Sequence, residues 1–281
     1  MAGDRFTAVL CVTLMVCSPA MSGSPPWGPD PGADTIEDRF PPPRGYQRVP
    51  APEGSFGHWL RRLPLKPGRP PVLLHTGTRK GDQSAHLAVV DIDVGAENLQ
   101  QCADAVIRLR AEFLLAAGRD EDICFRFTSG HRSAWADWRA GLRPLVLGQR
   151  VSWVRRAAPD SSYPSFRRYL TTTYRWAGSA SLDKGLSPVA DVRRVEGGDV
   201  FIQGGFPGHA VLVADAAENA QGRRVFLLLQ SYMPAQDIHV LRNPSSPASP
   251  WYSADRDGPL HTPEWIFTAG SLKRFSETGC P

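Results

Sequence analysis

A chain of 281 residues with 32 Lys and Arg against 28 Asp and Glu carries a formal charge of only +4, and its 42% hydrophobic content suffices for a sizeable core. The basic residues come as scattered pairs, such as Arg61-Arg62 and Arg193-Arg194, without a run of like charges, so no footprint for nucleic acid is expected. Twenty-six Gly and 26 Pro point to many turns and few long helices.

At the N-terminus Arg5 precedes an apolar run from Phe6 to Cys17 that is too short to span the ~30 Å hydrocarbon core of a bilayer as a helix. Ala20-Met21-Ser22 fits the small-x-small cleavage rule, with Ser18-Pro19-Ala20 as the alternative, so residues 1–22 are read as a secretory signal peptide. The rival is a lipoprotein signal ending at Cys17, which the bulky Val16 disfavours. A secreted or periplasmic protein follows, with no transmembrane helix in the mature chain. Signal removal leaves Cys102, Cys124 and Cys280, which allow at most one disulfide and one leftover thiol in an oxidising compartment, the pairing being open. No C-x-x-C or Cys/His cluster is present, so neither a structural metal nor a cofactor is expected.

Residues 23–52, rich in Pro and Gly, read as a linker or surface strap that Trp27, Ile36, Phe40 and Tyr46 would pin down, ahead of a single domain over residues 53–281. "GSFGHWLRRL" predicts a short helix capped by Ser55 and stopped by Pro64. "PPVLLHTG" and "SAHLAVVDIDVG" predict strands, the second a central one because both of its faces are apolar. "AENLQQCADAVIRLRAEFLLAAG" is the clearest helix, with Leu99, Cys102, Val106, Leu109 and Phe113 on one face and Gly118 at its end. "DICFRFTSG", a short Trp135/Trp138 helix and "QRVSWVRR" follow, then a helix over "SYPSFRRYLTTTYRWAG" with Ser165 as candidate N-cap. The remainder predicts strands at "GDVFIQGG", "HAVLVADAA", "RRVFLLLQSYM" and "DIHVLRN", and a last one near "EWIFT". The expected class is α+β, with a mostly antiparallel sheet and packed helices.

Chemistry centres on His209, which opens a strand straight after a glycine turn. Asp199-Val200-Phe201-Ile202 and His209-Ala210-Val211-Leu212-Val213 resemble the second half of the papain-like cell-wall hydrolases of the NlpC/P60 kind. That resemblance implies a cysteine at a helix N-terminus, a histidine base at a strand start, and a polar group on the next strand to orient the ring. Gln230 is the candidate orienter. The nucleophile is open between Ser165, on the helix nearest in sequence, and Cys102. Ser165 is equally readable as a cap, and Cys102 as a buried cysteine on an apolar stripe.

Over a longer stretch, "GSFGHWLRRLPLKPG", "GDVFIQGGFPGHAVLV", "LLQSYMPAQDIHVL" and "SPWY" resemble the secreted bacterial family called domain of unknown function 4846, from about Ile36 onward, which implies export but no activity. Gln83 and His86 in "GTRKGDQSAH", with Gln230, Ser231, Tyr232 and Gln236 in "QSYMPAQDIH", are candidate ligand contacts for an envelope glycan or peptide. His239 reads as a core histidine, and Asp91 and Asp93 as strand-end charges. Two functions are therefore expected to compete. One is a non-catalytic or degenerate papain-like module that binds an envelope ligand; the other is an active peptidase or amidase using His209. Both place the imidazole in an open hollow lined by the Gln-Ser-Tyr-Met segment.

Overall fold

Alternation along "HAVLVADAA" and "RRVFLLLQ" builds a sheet buried on both sides, because successive strand residues point to opposite faces. The computed structural model describes residues 32–255, 258–276 and 280. The expected signal peptide, the Cys17 alternative, Trp27 and residues 23–31 of the strap lie outside the described residues.

In chain order the first half comprises α1 (Ile36–Arg39), β1 (Tyr46–Arg48), α2 (Phe56–Arg61), β2 (His86–Val89), α3 (Cys102–Ala116), β3 (Cys124–Arg126), β4 (Arg132–Ala134), α4 (Trp135–Arg139), β5 (Leu142–Leu147) and β6 (Arg150–Arg155). The second half comprises α5 (Tyr163–Trp176), α6 (Ser179–Gly185), β7 (Ser187–Pro188), β8 (Val200–Gln203), β9 (His209–Asn219), β10 (Arg224–Gln230), β11 (His239–Leu241), β12 (Tyr252–Ser253), β13 (Leu260–His261), β14 (Ile266–Phe267) and β15 (Leu272–Arg274). The main sheet runs β2-β11-β10-β9-β8-β15-β7, with β1 on the far end of β9 and β12 on β10. Its pairs are antiparallel, and with the packed helices they form one α+β domain.

One face of the sheet presents Val200, Ile202, Ala210, Leu212, Leu227 and Leu229 to α3, where Val106, Ile107 and Leu114 meet them. The other presents Phe201, Val211, Val213, Phe226 and Leu228 to Tyr252, Phe267 and Leu272. The β9–β10 register shifts between Leu227, opposite Asp215, and Leu228, opposite Val213, which leaves Ala214 as the extra residue of a bulge. The strap residues Tyr46–Arg48 pair with Asn219, Glu218 and Ala217 of β9, and Ile36 is fully buried.

Several expectations are corrected. "PPVLLHTG" forms no strand: Leu73 and Leu74 make single bridges to Arg79 and Gln236 around a tight turn at Gly77. β2 lies at the end of the sheet order rather than in its centre, although Ala88, Val89 and Val90 are buried, because the chain at Leu65 bridges to Val90 and covers that edge. α3 begins at Cys102, six residues later than the apolar pattern suggests. The Asp104 carboxylate accepts from the Gln101 backbone N–H at 3.2 Å, which makes Gln101 the N-cap. The cap of α5 is Ser162 and not Ser165, whose own N–H donates to the Ser162 hydroxyl at 3.3 Å. The last strand is β15, beyond "EWIFT". Cys124 and Cys280 form the disulfide, and Cys102 is the free thiol.

Candidate functional site

His209 is the first residue of β9, and Gly208 before it has no room for a side chain: a Cβ there would lie 2.3 Å from Ser179 Oγ and 2.7 Å from the carbonyl oxygens of Gln203 and Gly205. The glycine turn thus delivers the imidazole to one end of the sheet. Its Nε2 lies 2.9 Å from Oε1 of Gln230, the last residue of β10. Gln230 Nε2 donates to Glu264 Oε2 at 2.7 Å, and Lys80 Nζ donates to Glu264 Oε1 at 2.6 Å. The ring packs against Tyr232, Trp265 and Phe267, with centroid separations of 4.7, 5.2 and 5.7 Å.

The expected open hollow is absent around this ring. His209 is 1% exposed because those three aromatic side chains enclose it. Burial lowers the imidazole pKa to about 4, with the Gln230 hydrogen bond acting in the opposite direction. The exposed apolar groups nearby are Phe206, 89% exposed in the turn before β9, and Met233, 57% exposed beside Tyr232.

Cys102 is the first residue of the 15-residue helix α3 and is partly exposed. Backbone groups of Ala103, Ala210 and Cys102 itself act to lower the thiol pKa. Ala210 follows His209 directly, so the free thiol and the buried imidazole come to the same end of β9 although 107 positions separate Cys102 from His209 (209 − 102). Desolvation and the Asp104 carboxylate push the thiol up to about 11, against those backbone groups. The segment after β10 is stapled to the approach to α3: Ser231 Oγ lies 3.0 Å from the Gln100 carbonyl oxygen and 2.9 Å from that of Gln236, and the Ala235 N–H donates to Asn98 Oδ1 at 2.7 Å.

The other sequence candidates do not touch the His209 ring, and Gln83 reaches the group only through the Lys80 carbonyl. Ser165 is buried in the first turn of α5, where its hydroxyl accepts from Trp138 Nε1 at 3.2 Å. Gln83 is a loop staple: it accepts from the Val72 N–H and donates to the carbonyls of Val72 and Lys80. His86 is buried with Nε2 2.9 Å from the Pro70 carbonyl, and His239 is buried with Nδ1 2.9 Å from that of Asp237. The Gln236 side chain is buried without a partner among the described residues. Asp91 is exposed, and Asp93 receives Arg108 at 2.8 Å and Arg167 at 2.7 Å.

Of two further members of the group, Lys80 lies in the polar loop "GTRKGDQSAH", whereas Glu264 carries no signal in sequence. They are 184 positions apart, so nothing in the sequence pairs them. Among the described residues no group of three or more His, Cys, Asp or Glu side chains could hold a metal ion, and no helix is long and apolar enough to cross a membrane.

No curated protein and no solved structure matches the chain. The model of one family, described as domain of unknown function (4846), matches residues 36–274, and the chain belongs to that family.

Proposed function

We propose that the protein is a thiol-dependent hydrolase of the papain-like kind, acting outside the cytoplasm on an amide or peptide of the cell envelope. Cys102 is the nucleophile, His209 the base and Gln230 the orienting group. One observation carries the reading. The free, partly exposed Cys102 is the first residue of α3, and the backbone of α3's own first turn and of Ala210, the residue after a histidine held by Gln230, acts to lower its thiol pKa. A helix N-terminus favours negative charge both on sulfur and on the oxygen of a tetrahedral intermediate formed there. His209 takes the thiol proton and the thiolate attacks the carbonyl carbon. The imidazolium returns the proton to the leaving amine, and water then releases the acyl group from Cys102. The Cys124–Cys280 disulfide supports an oxidising compartment, and so an exported chain.

Alkylation by iodoacetamide, followed by mass spectrometry of the full chain, tests this. Cys102 should react at neutral pH, and His209→Ala should slow that reaction by about 10²-fold, the lower end of what a positioned base contributes. Cys102→Ala should abolish release of amine groups from purified cell-wall peptides. Alkylation that ignores His209, with no turnover by the wild type, overturns the reading. A binding module without turnover is the second reading. The enclosure of the His209 ring, with no open hollow beside it, favours the second reading, and so do the raised thiol and lowered imidazole pKa values, which leave both groups neutral at rest.

A further inference from the structure

The chain of contacts behind His209 does not end at Gln230. Glu264 comes from the loop before β14 and Lys80 from the loop before β2, and both lie behind the amide that holds the ring. The Lys80 and Glu264 side chains are 10% and 16% exposed, so this is a largely sheltered ion pair and not a solvated surface contact. A carboxylate bonded to an ammonium only accepts hydrogen bonds. The Gln230 atom 2.7 Å from Glu264 must therefore be the amide nitrogen, and the oxygen must be the atom that faces His209. That oxygen also only accepts, so His209 Nε2 must carry the hydrogen. Nδ1 is then the nitrogen with the lone pair. Each step follows from donor and acceptor capacity and involves no choice of amide flip.

We propose that Glu264, clamped by Lys80, is a positioning residue that sets the tautomer of His209: it fixes the Gln230 amide, which holds the ring proton on Nε2 and leaves Nδ1 as the base. Packing alone does not require such an arrangement. Had Gln230 only to fill space, either amide orientation and either tautomer would serve, and a charged pair would not be needed behind it. The inference deepens the hydrolase reading and rests on it for its purpose, because a base needs its lone pair on a chosen nitrogen. The tautomer itself is measurable without any turnover.

The experiment is long-range ¹⁵N–¹H correlation NMR of the His209 ring in the full chain at neutral pH. Wild type should show the proton on Nε2. In Glu264→Gln the residue behind Gln230 is able to donate as well as accept, so the Gln230 amide is free to turn. The Nδ1–H form should then gain about tenfold relative to wild type, the equivalent of one net hydrogen bond. The exchange variant Gln230→Glu with Glu264→Gln reverses the two groups. A carboxylate then accepts from His209 Nε2 directly and from the amide at position 264, while that amide's oxygen accepts from Lys80. It should restore the wild-type tautomer, which a general loss of packing would not do.

Cys102 alkylation should follow the same order, slowed by about tenfold in Glu264→Gln and recovered in the exchange variant, one net hydrogen bond again setting the scale. A wild-type ring protonated on Nδ1 overturns the inference, as does a Glu264→Gln ring that keeps the wild-type tautomer unchanged. If Glu264→Gln does not fold, the wild-type spectrum and the exchange variant decide alone. A tautomer that follows Glu264 while Cys102 reactivity ignores His209 upholds this inference and removes the hydrolase reading, so the two fail separately.

Discussion

Strand β9 carries a buried polar side chain towards each end, and the two are built in opposite ways. Asp215 is fully buried, receives Arg48 at 2.7 Å and Arg61 at 2.5 Å, and accepts from the Ala216 N–H at 2.8 Å. Those arginines belong to the strap and to α2, so this knot ties the N-terminal segments to the sheet and is closed on itself. His209, at the other end, is held on one nitrogen by a relay of Gln230, Glu264 and Lys80, and the free thiol of Cys102 lies towards the same end of the strand. A closed knot has nothing left to react, whereas a relay that ends on an uncommitted nitrogen and a thiol does. The difference separates, within one strand, a polar group consumed by structure from one whose ring keeps a nitrogen unpartnered among the described residues.

Three measurements test whether the two ends of β9 differ as described. The largest effect is expected at the closed end. Asp215→Ala leaves two guanidinium groups without their partner, and breaking a buried ion pair costs about 3–5 kcal/mol. The low end applies here because Arg48 is partly exposed. A drop of that size in unfolding free energy, read from urea titrations, is a large share of a typical domain's 5–15 kcal/mol. No change would mean that the strap is held by other contacts.

Next comes acid. The pKa of His209 is lowered to about 4 and that of His239 to about 3, in both cases chiefly by burial. The unfolded chain therefore binds protons near the ordinary histidine value while the folded chain does not. Stability is full above about pH 6.5 and falls as the pH drops towards the folded values, by a few kcal/mol per group. Between about pH 6.5 and 5, where ordinary carboxylates scarcely titrate, the urea midpoint should decline, and His209→Ala should flatten that decline in part. A midpoint independent of pH in this window would mean that the ring is hydrated.

The smallest effect is at Gly208. Gly208→Ala must displace Ser179 or the turn carbonyls and should cost about 1–3 kcal/mol as an overpacked site. It should also shift the His209 ring signals more than those of His239. Equal shifts would show that the turn does not set the His209 position.

Much of this was legible before the fold was known. Strand alternation marks β8, β9 and β10, the short Phe56–Arg61 helix announces itself by Ser55 and Pro64, and the odd cysteine count leaves one thiol free. His209 and Gln230 stand out because a polar residue at either end of an apolar run is visible in one dimension. The choice between Ser165 and Cys102 was not visible. Both lie in the first turn of a helix, and only packing brings one of those helices to the His209 end of the sheet. Gln83, Ser231 and His86 each bond to backbone carbonyls, which sequence does not distinguish from a polar side chain that awaits a ligand.

Local physics thus determined the elements: side-chain periodicity, proline and glycine punctuation, and the one disulfide that three cysteines allow act over a few residues or by simple count. Which thiol lies beside the histidine, which glutamate stands behind the glutamine, and how far the ring is closed off from water depend on contacts between segments up to 184 positions apart. Such contacts form only when burial of the sheet's two faces brings those segments together, so the tertiary structure alone decided them.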